Sequence, residues 1–170
     1  QAIERLGLLP GQENLLLRVV LRDCSRSITA AEAKAIEQAA CTKMDLPLLS
    51  LMQSAGEAAA RLVQTLYPSG RIVVLCGPGG NGGDGYVAAR FLLAEGRSVS
   101  VISSRPLETL SGDTAKMAHA WTACGGVTHF FGDEPLGHLD ASDVIIDALL
   151  GIGTTSAPAG SIAALCAFAN

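Results

Sequence analysis

The chain opens its regular patterning at Thr29, which stands three residues before Glu32 in the spacing of a capping box. Ala33, Ile36 and Ala40 then recur at helical intervals. A second helix is predicted from about Pro47, because Met52, Ala55, Ala59, Leu62 and Leu66 follow at steps of three and four and form one apolar stripe to turn toward a core. Residues 72–76 change the rhythm to an unbroken apolar run, as in a strand buried on both faces. Val87, Ala88, Phe91 and Leu92 predict a helix that ends at Gly96. Beyond it, residues 98–102 read as a strand and 113–124 as a helix with Met117, Ala118 and Trp121 on one side. Residues 127–131 read as a strand, 143–147 as a strand ending in the carboxylate Asp147, and 161–169 as a helix. Residues 1–26, broken at Pro10 and Gly11, show no long period and are read as an extension without an assigned role; residues 27–170 form the domain. Two helices followed by alternating strands and helices predict an α/β fold, a three-layer Rossmann-like parallel sheet with helices on both faces. Such sheets bind ligands beyond the carboxyl ends of their strands. The glycine-rich run after residue 76 and Asp147 both fall at such ends, on one rim.

Composition narrows the partners. The 170 residues suit one domain, and 49% of them are apolar, enough for a sizeable core. Only 16% are charged and the formal net charge is -4, which argues against nucleic acid as the main partner. No apolar stretch approaches the roughly 20 residues of a membrane helix, so no membrane partner is expected. The run at residues 15–21 is short, contains Arg18 and lacks the layout of a signal peptide. Cys24, Cys41, Cys76, Cys124 and Cys166 form no CxxC pair and read as reduced, mostly buried thiols. A cytoplasmic location follows. Asp133, Glu134, Asp140 and Asp143 read as a solvated acidic loop, and His119, His129 and His138 lack metal-ligand spacing.

The chemistry concentrates at residues 77–85, where six of nine positions are glycine. Glycine admits positive φ and lets backbone N–H groups approach a ligand closely. Between a strand and a helix start, those groups and the helix's positive end suit a phosphate or pyrophosphate. Gly77, Gly79 and Gly82 satisfy the loose G-x-G-x-x-G dinucleotide pattern, but the acidic residue expected at the end of the next strand is replaced by Ser103, Ser104 and Arg105. No G-K-[ST] follows, which excludes a Walker loop. Asp84 would repel phosphate unless it faces a hydroxyl, an amide or a cation, or caps the following helix. Arg90 is read as one half of a surface ion pair.

Read as V-L-C-G-P-G-G-N-G-G-D-G-Y-V-A-A-R-F-L, residues 74–92 resemble the signature of the NAD(P)H-hydrate epimerases, the YjeF N-terminal domain family. Residues 143–153, D-V-I-I-D-A-L-L-G-I-G, are similar to that family's strand ending in D-A-L-L-G-x-G, and residues 28–40 and 51–56 add weaker matches. The resemblance implies an isomerase that interconverts the R and S epimers of hydrated NADH and NADPH, NADHX and NADPHX, in nicotinamide nucleotide repair. It implies a potassium ion near the substrate phosphates, with Asn81 and Asp147 as its side-chain ligands. It implies substrate contacts from Gly80, Asn81, Gly82, Gly83 and Asp84, and from a second loop of Gly151, Ile152, Gly153, Thr154 and Thr155. A fused or separate dehydratase is the implied partner, and a homo-oligomer is compatible with the family.

The chain also departs from the family pattern. Gly80 stands where the family carries the first Asn of a pair, and Gln53-Ser54 replaces Glu-Asn. Residues 154–160 replace a basic R-E-P-like stretch. The family's D-[IV]-P-S-G motif, with an aspartate expected to transfer a proton, would lie beyond Asn170, so the domain is read as incomplete and its catalytic residue as unknown. The competing reading is a non-catalytic nucleotide- or partner-binding module of the same fold; a dehydrogenase comes third.

Overall fold

The structure, a computed structural model, describes residues 13–15, 29–132 and 144–169. The acidic residues Asp133, Glu134, Asp140 and Asp143, together with Cys24 and His138, lie outside the described residues. Five strands, β1 (Glu13–Leu15), β2 (Ile72–Cys76), β3 (Val99–Ser103), β4 (Thr128–Phe130) and β5 (Val144–Ala148), form one sheet in the order β1-β5-β2-β3-β4. Every pairing is parallel. The helices are α1 (Ala30–Met44), α2 (Leu48–Leu66), α3 (Gly80–Ala94), α4 (Gly112–Ala123) and α5 (Gly160–Ala169), with a short 3-10 turn at Leu107–Thr109. The expected α/β architecture is present, with β2 to β5 each placed within a residue or two of its expected span. Within the stretch 1–26, where no element was expected, Glu13–Leu15 pair with Val144–Ile146 as an edge strand of the sheet. Three residues are too short to show an alternation, which is why no period reached the sequence.

Each face of the sheet has its own core. Ile72, Val74 and Cys76 of β2 pack with Val144, Ile146 and Ala148 of β5 against α3 and α4. Val73, Leu75 and Ile145 face Leu165 and Ala169 of α5. β2 is buried at every position, as a central strand covered on both faces must be. Fully buried Val and Leu side chains of this kind stabilise by about 1.5–3 kcal/mol each before chain entropy opposes them.

α1 begins at the predicted capping box: the Glu32 amide donates to the Thr29 hydroxyl at 3.2 Å, and the Thr29 amide donates to the Glu32 carboxylate at 2.8 Å. The apolar stripe predicted for α2 is displaced. Gly56, Ala60 and Val63 are the buried positions, whereas Leu62 is 40% and Leu66 51% exposed. Small residues win because α2 crosses α3 at backbone distance: a methyl on Gly56 would lie 2.6 Å from the Asp84 carbonyl and against Val87. Ile36 on α1 is likewise exposed, at 50%. Arg90 lies over the Phe91 ring, 5.8 Å from its centroid, and the expected ion pair is not formed among the described residues. Among the described residues Cys41 and Cys76 are buried free thiols, Cys166 is half-buried and Cys124 is exposed. No helix is long and apolar enough to cross a membrane, among the described residues.

Candidate active site

β2 leads outward to β3 and β4 on one side, while β5 returns on its other side. The chain therefore changes direction between β2 and β5, the place where open parallel sheets form a ligand crevice. Leu75 pairs with Asp147 and Cys76 with Ala148, so both strands end at one height. The Gly77 amide then donates to the Ala148 carbonyl at 3.0 Å, extending the ladder one step. A methyl on Gly77 would collide with the Leu149 carbonyl, and one on Gly82 with the Gly77 carbonyl. Neither glycine has a positive φ. Close approach of two backbones, not left-handed geometry, is what requires glycine here.

The glycine-rich run is mostly helix. Only residues 77–79 form a turn, and α3 begins at Gly80, so Asn81, Gly82, Gly83 and Asp84 lie in its opening turns. Gly79 is the N-cap, no side chain caps the helix, and the first turn holds no acidic residue. The Gly83 amide reaches the Gly79 carbonyl at 3.2 Å. The amides before it have no intrahelical acceptor. Positions beside Gly79 and Gly80 are open space. An uncapped helix start with a bare surface around it is suited to an anion.

Asn81 joins this helix start to the second loop. Its side-chain amide donates to the Leu150 carbonyl at 3.2 Å, and its Cβ lies 3.4 Å from where a methyl on Gly151 would sit. Asp147 is half-buried, and its Oδ1 accepts from the Leu149 amide at 2.9 Å. Strand alternation places the Asp147 side chain on the α5 face with Ile145, whereas α3 covers the opposite face. The two residues are thus linked over the rim, through residues 149 and 150. Consistent with that side, burial first and the Asp147 charge second push the Cys166 thiol on α5 upward. Gly151, Ile152, Gly153, Thr154 and Thr155 are exposed, and the Thr154 amide closes a turn onto the Gly151 carbonyl at 3.2 Å.

Asp84 is not a helix cap, because it lies inside α3. It is half-buried and its carboxylate has no hydrogen bond or salt bridge among the described residues. Burial, assisted by Glu37 on α1, pushes its carboxyl up to about 7. Beneath the turn, the Cys76 thiol is pushed up by complete burial and is not a reactive nucleophile. The Tyr86 hydroxyl is buried beside the Ser103 hydroxyl, which donates to the Arg105 carbonyl at 2.6 Å.

Two contributors had no signal in the sequence. Thr114 on α4, 5% exposed, donates its hydroxyl to the Gly79 carbonyl at 3.0 Å and so holds the turn from the side. Ser161, at the start of α5, donates to the Ser104 carbonyl at 2.8 Å. Both bonds span more than thirty residues of chain, and only the fold brings the partners together.

For a cation, the rim offers hard oxygen donors. The side-chain oxygen of Asn81 and the second carboxylate oxygen of Asp147 take no hydrogen bond among the described residues. An amide oxygen and a carboxylate oxygen suit an alkali or alkaline-earth ion in chemical type. No cluster of three or more His, Cys, Asp or Glu converges among the described residues.

Known proteins resemble this chain in sequence and in fold. The profile described as YjeF-related protein N-terminus matches residues 48–170. The NAD(P)H-hydrate epimerase of Rhodopirellula baltica is 33% identical over 170 residues, covering 98% of this chain and 70% of that protein. The bifunctional NAD(P)H-hydrate repair enzyme Nnr of Escherichia coli is 39% identical over 135 residues, covering 79% of this chain; the chain spans only 26% of that protein's length. In structure, the yeast protein ynu0 superposes with a TM-score of 0.70 at 21% identity, over 82% of this chain and 63% of that one. With the profile spanning the helix α2, the glycine turn, β5 and α5, the chain belongs to the family of YjeF-related protein N-termini.

Proposed function

We propose that this chain is an isomerase that interconverts the R and S epimers of hydrated NADH and NADPH, acting in nicotinamide nucleotide repair. The observation that carries the reading is the junction of two strand ends. The uncapped start of α3 after β2 and the loop after β5 meet through the bond from Asn81 to the Leu150 carbonyl. The names of the Rhodopirellula baltica and Escherichia coli relatives support the same activity.

On this reading, the free amides at the start of α3, around Gly80, Asn81 and Gly82, hold the substrate diphosphate. Gly83 keeps the helix close to α2, because a side chain there would displace Met52. Gly151, Ile152, Gly153, Thr154 and Thr155 close over the substrate from the other side. Asp84 is compatible with a phosphate because its carboxyl, raised to about 7, is not a fixed negative charge at neutral pH. Asn81 and Asp147 would hold a potassium ion, which supplies positive charge beside the phosphates when bound. A dehydratase, fused or separate, would consume one epimer, and the cytoplasm is the proposed location.

The test is the interconversion of purified NADPHX epimers, followed by chromatography against the spontaneous rate. With the segment that carries the expected proton-transferring aspartate present, the wild-type protein accelerates the exchange, while Asn81→Ala loses about a hundredfold or more of the acceleration if the residue organises the substrate charge. Binding of substrate with no acceleration in the wild type would replace the enzyme by a non-catalytic binding module.

A further inference from the structure

The turn after β3 is left unused by the function proposed above, yet it lies beside the same rim. β3 neighbours β2 on the side away from β5, and the Ser104 amide donates to the Cys76 carbonyl at 2.9 Å. The end of β3 is thereby tied to the first residue before the glycine turn. In dinucleotide sites of this topology, the residue at that strand end meets the adenosine ribose. A carboxylate there binds the ribose hydroxyls and repels a phosphate on them, whereas an arginine accepts the phosphate.

Here the strand end carries Ser103, Ser104 and Arg105. The Ser103 hydroxyl fixes the turn by donating to the Arg105 carbonyl at 2.6 Å. Ser104 is 2% exposed, and its hydroxyl has no hydrogen-bond partner among the described residues. Arg105 is exposed, and its guanidinium has no hydrogen bond or ion pair among the described residues. Among the described residues of the segments that leave the carboxyl ends of β2, β3, β4 and β5 (77–79, 104–111, 131–132 and 149–159), Arg105 is the one basic residue and Glu108 the one acidic residue; in sequence the segment after β4 continues into Asp133 and Glu134.

We propose that Arg105, supported by the Ser104 hydroxyl, forms a phosphomonoester subsite that reads the ribose 2′-phosphate, so that this chain favours the hydrate of NADPH over that of NADH. The inference rests on the proposed function in one respect, that a dinucleotide lies across this rim. Arginine suits the task because its planar donors engage a phosphate in pairs, which a lysine ammonium does not reproduce.

Isothermal titration with ADP-ribose and with its 2′-phosphorylated form separates the two claims. The wild-type chain binds the phosphorylated ligand roughly tenfold or more tightly. Arg105→Ala brings the two affinities together while leaving that for ADP-ribose unchanged, and Arg105→Lys restores part of the preference. Equal affinities in the wild type, or a preference that survives Arg105→Ala, would overturn the subsite and leave the nucleotide site standing. Failure of both ligands to bind would overturn the nucleotide reading and the subsite with it.

Discussion

Gly80 and Gly82 stand two positions apart at the start of α3, yet their surroundings assign opposite responses to one added methyl group. A methyl on Gly80 meets no atom within 4 Å, and the backbone there is not left-handed. Gly80→Ala should therefore stabilise the fold by up to about 0.5–1 kcal/mol, through the smaller entropy of the unfolded chain. At Gly82 the methyl would overlap the Gly77 carbonyl. That carbonyl cannot retreat, because Gly77 is bonded to the Ala148 carbonyl at 3.0 Å and packed against the Leu149 backbone. Relief requires prising β2 from β5 at their ends or tilting α3. Strain and the lost ladder bond together cost about 3 kcal/mol or more. Urea unfolding followed by the fluorescence of Trp121, the single tryptophan and fully buried, reads both variants. A Gly82→Ala midpoint equal to that of the wild type would show that the two loops are not in backbone contact, and the site built on that contact would fall.

Asp84 sets a pH dependence. Its folded pKa of about 7 lies above the unfolded value, so the native state binds the extra proton and stability falls as pH rises through that window. Asp84→Asn should be more stable than wild type by up to about 4 kcal/mol near pH 8, with the advantage vanishing below about pH 4 in thermal melts. An advantage independent of pH would refute the burial argument. Thr114 tests how the glycine turn is held. Thr114→Val removes the bond to the Gly79 carbonyl and should cost about 1 kcal/mol. It should also raise KM for the epimer substrate with little change in kcat, while Thr114→Ser restores KM; a Val variant with wild-type KM would dismiss the positioning role.

The parts of this architecture that repeat were readable along the chain. A fully buried strand such as residues 72–76 needs apolar side chains at every position, and a capped helix needs its Thr29 and Glu32 three apart, so both leave a local record. The rim on which residues 77–85 and Asp147 fall followed from the parallel order of strands alone. Contacts between distant segments left no such record. The bonds from Asn81 to Leu150 and from Thr114 to Gly79 depend on where helices land. The true face of α2 was hidden for a related reason: Gly56 and Ala60 are buried because they are small, whereas a reading by hydropathy selects the larger Leu62 and Leu66. The glycines illustrate a third limit. Their number signalled a site, but at Gly77 and Gly82 the reason was contact between two backbones and not the left-handed torsions that glycine also permits.

The whole account turns on Asn81 and Asp147 serving one site from two sides of the sheet end. Diffraction from crystals in which thallium(I) replaces potassium measures this, since the heavier ion scatters anomalously and mimics the lighter one. The account predicts one peak within coordinating distance of both the Asn81 side-chain oxygen and the Asp147 carboxylate, absent in Asp147→Ala. A peak held elsewhere, or a rim that stays empty in crystals containing the bound nucleotide, would contradict it.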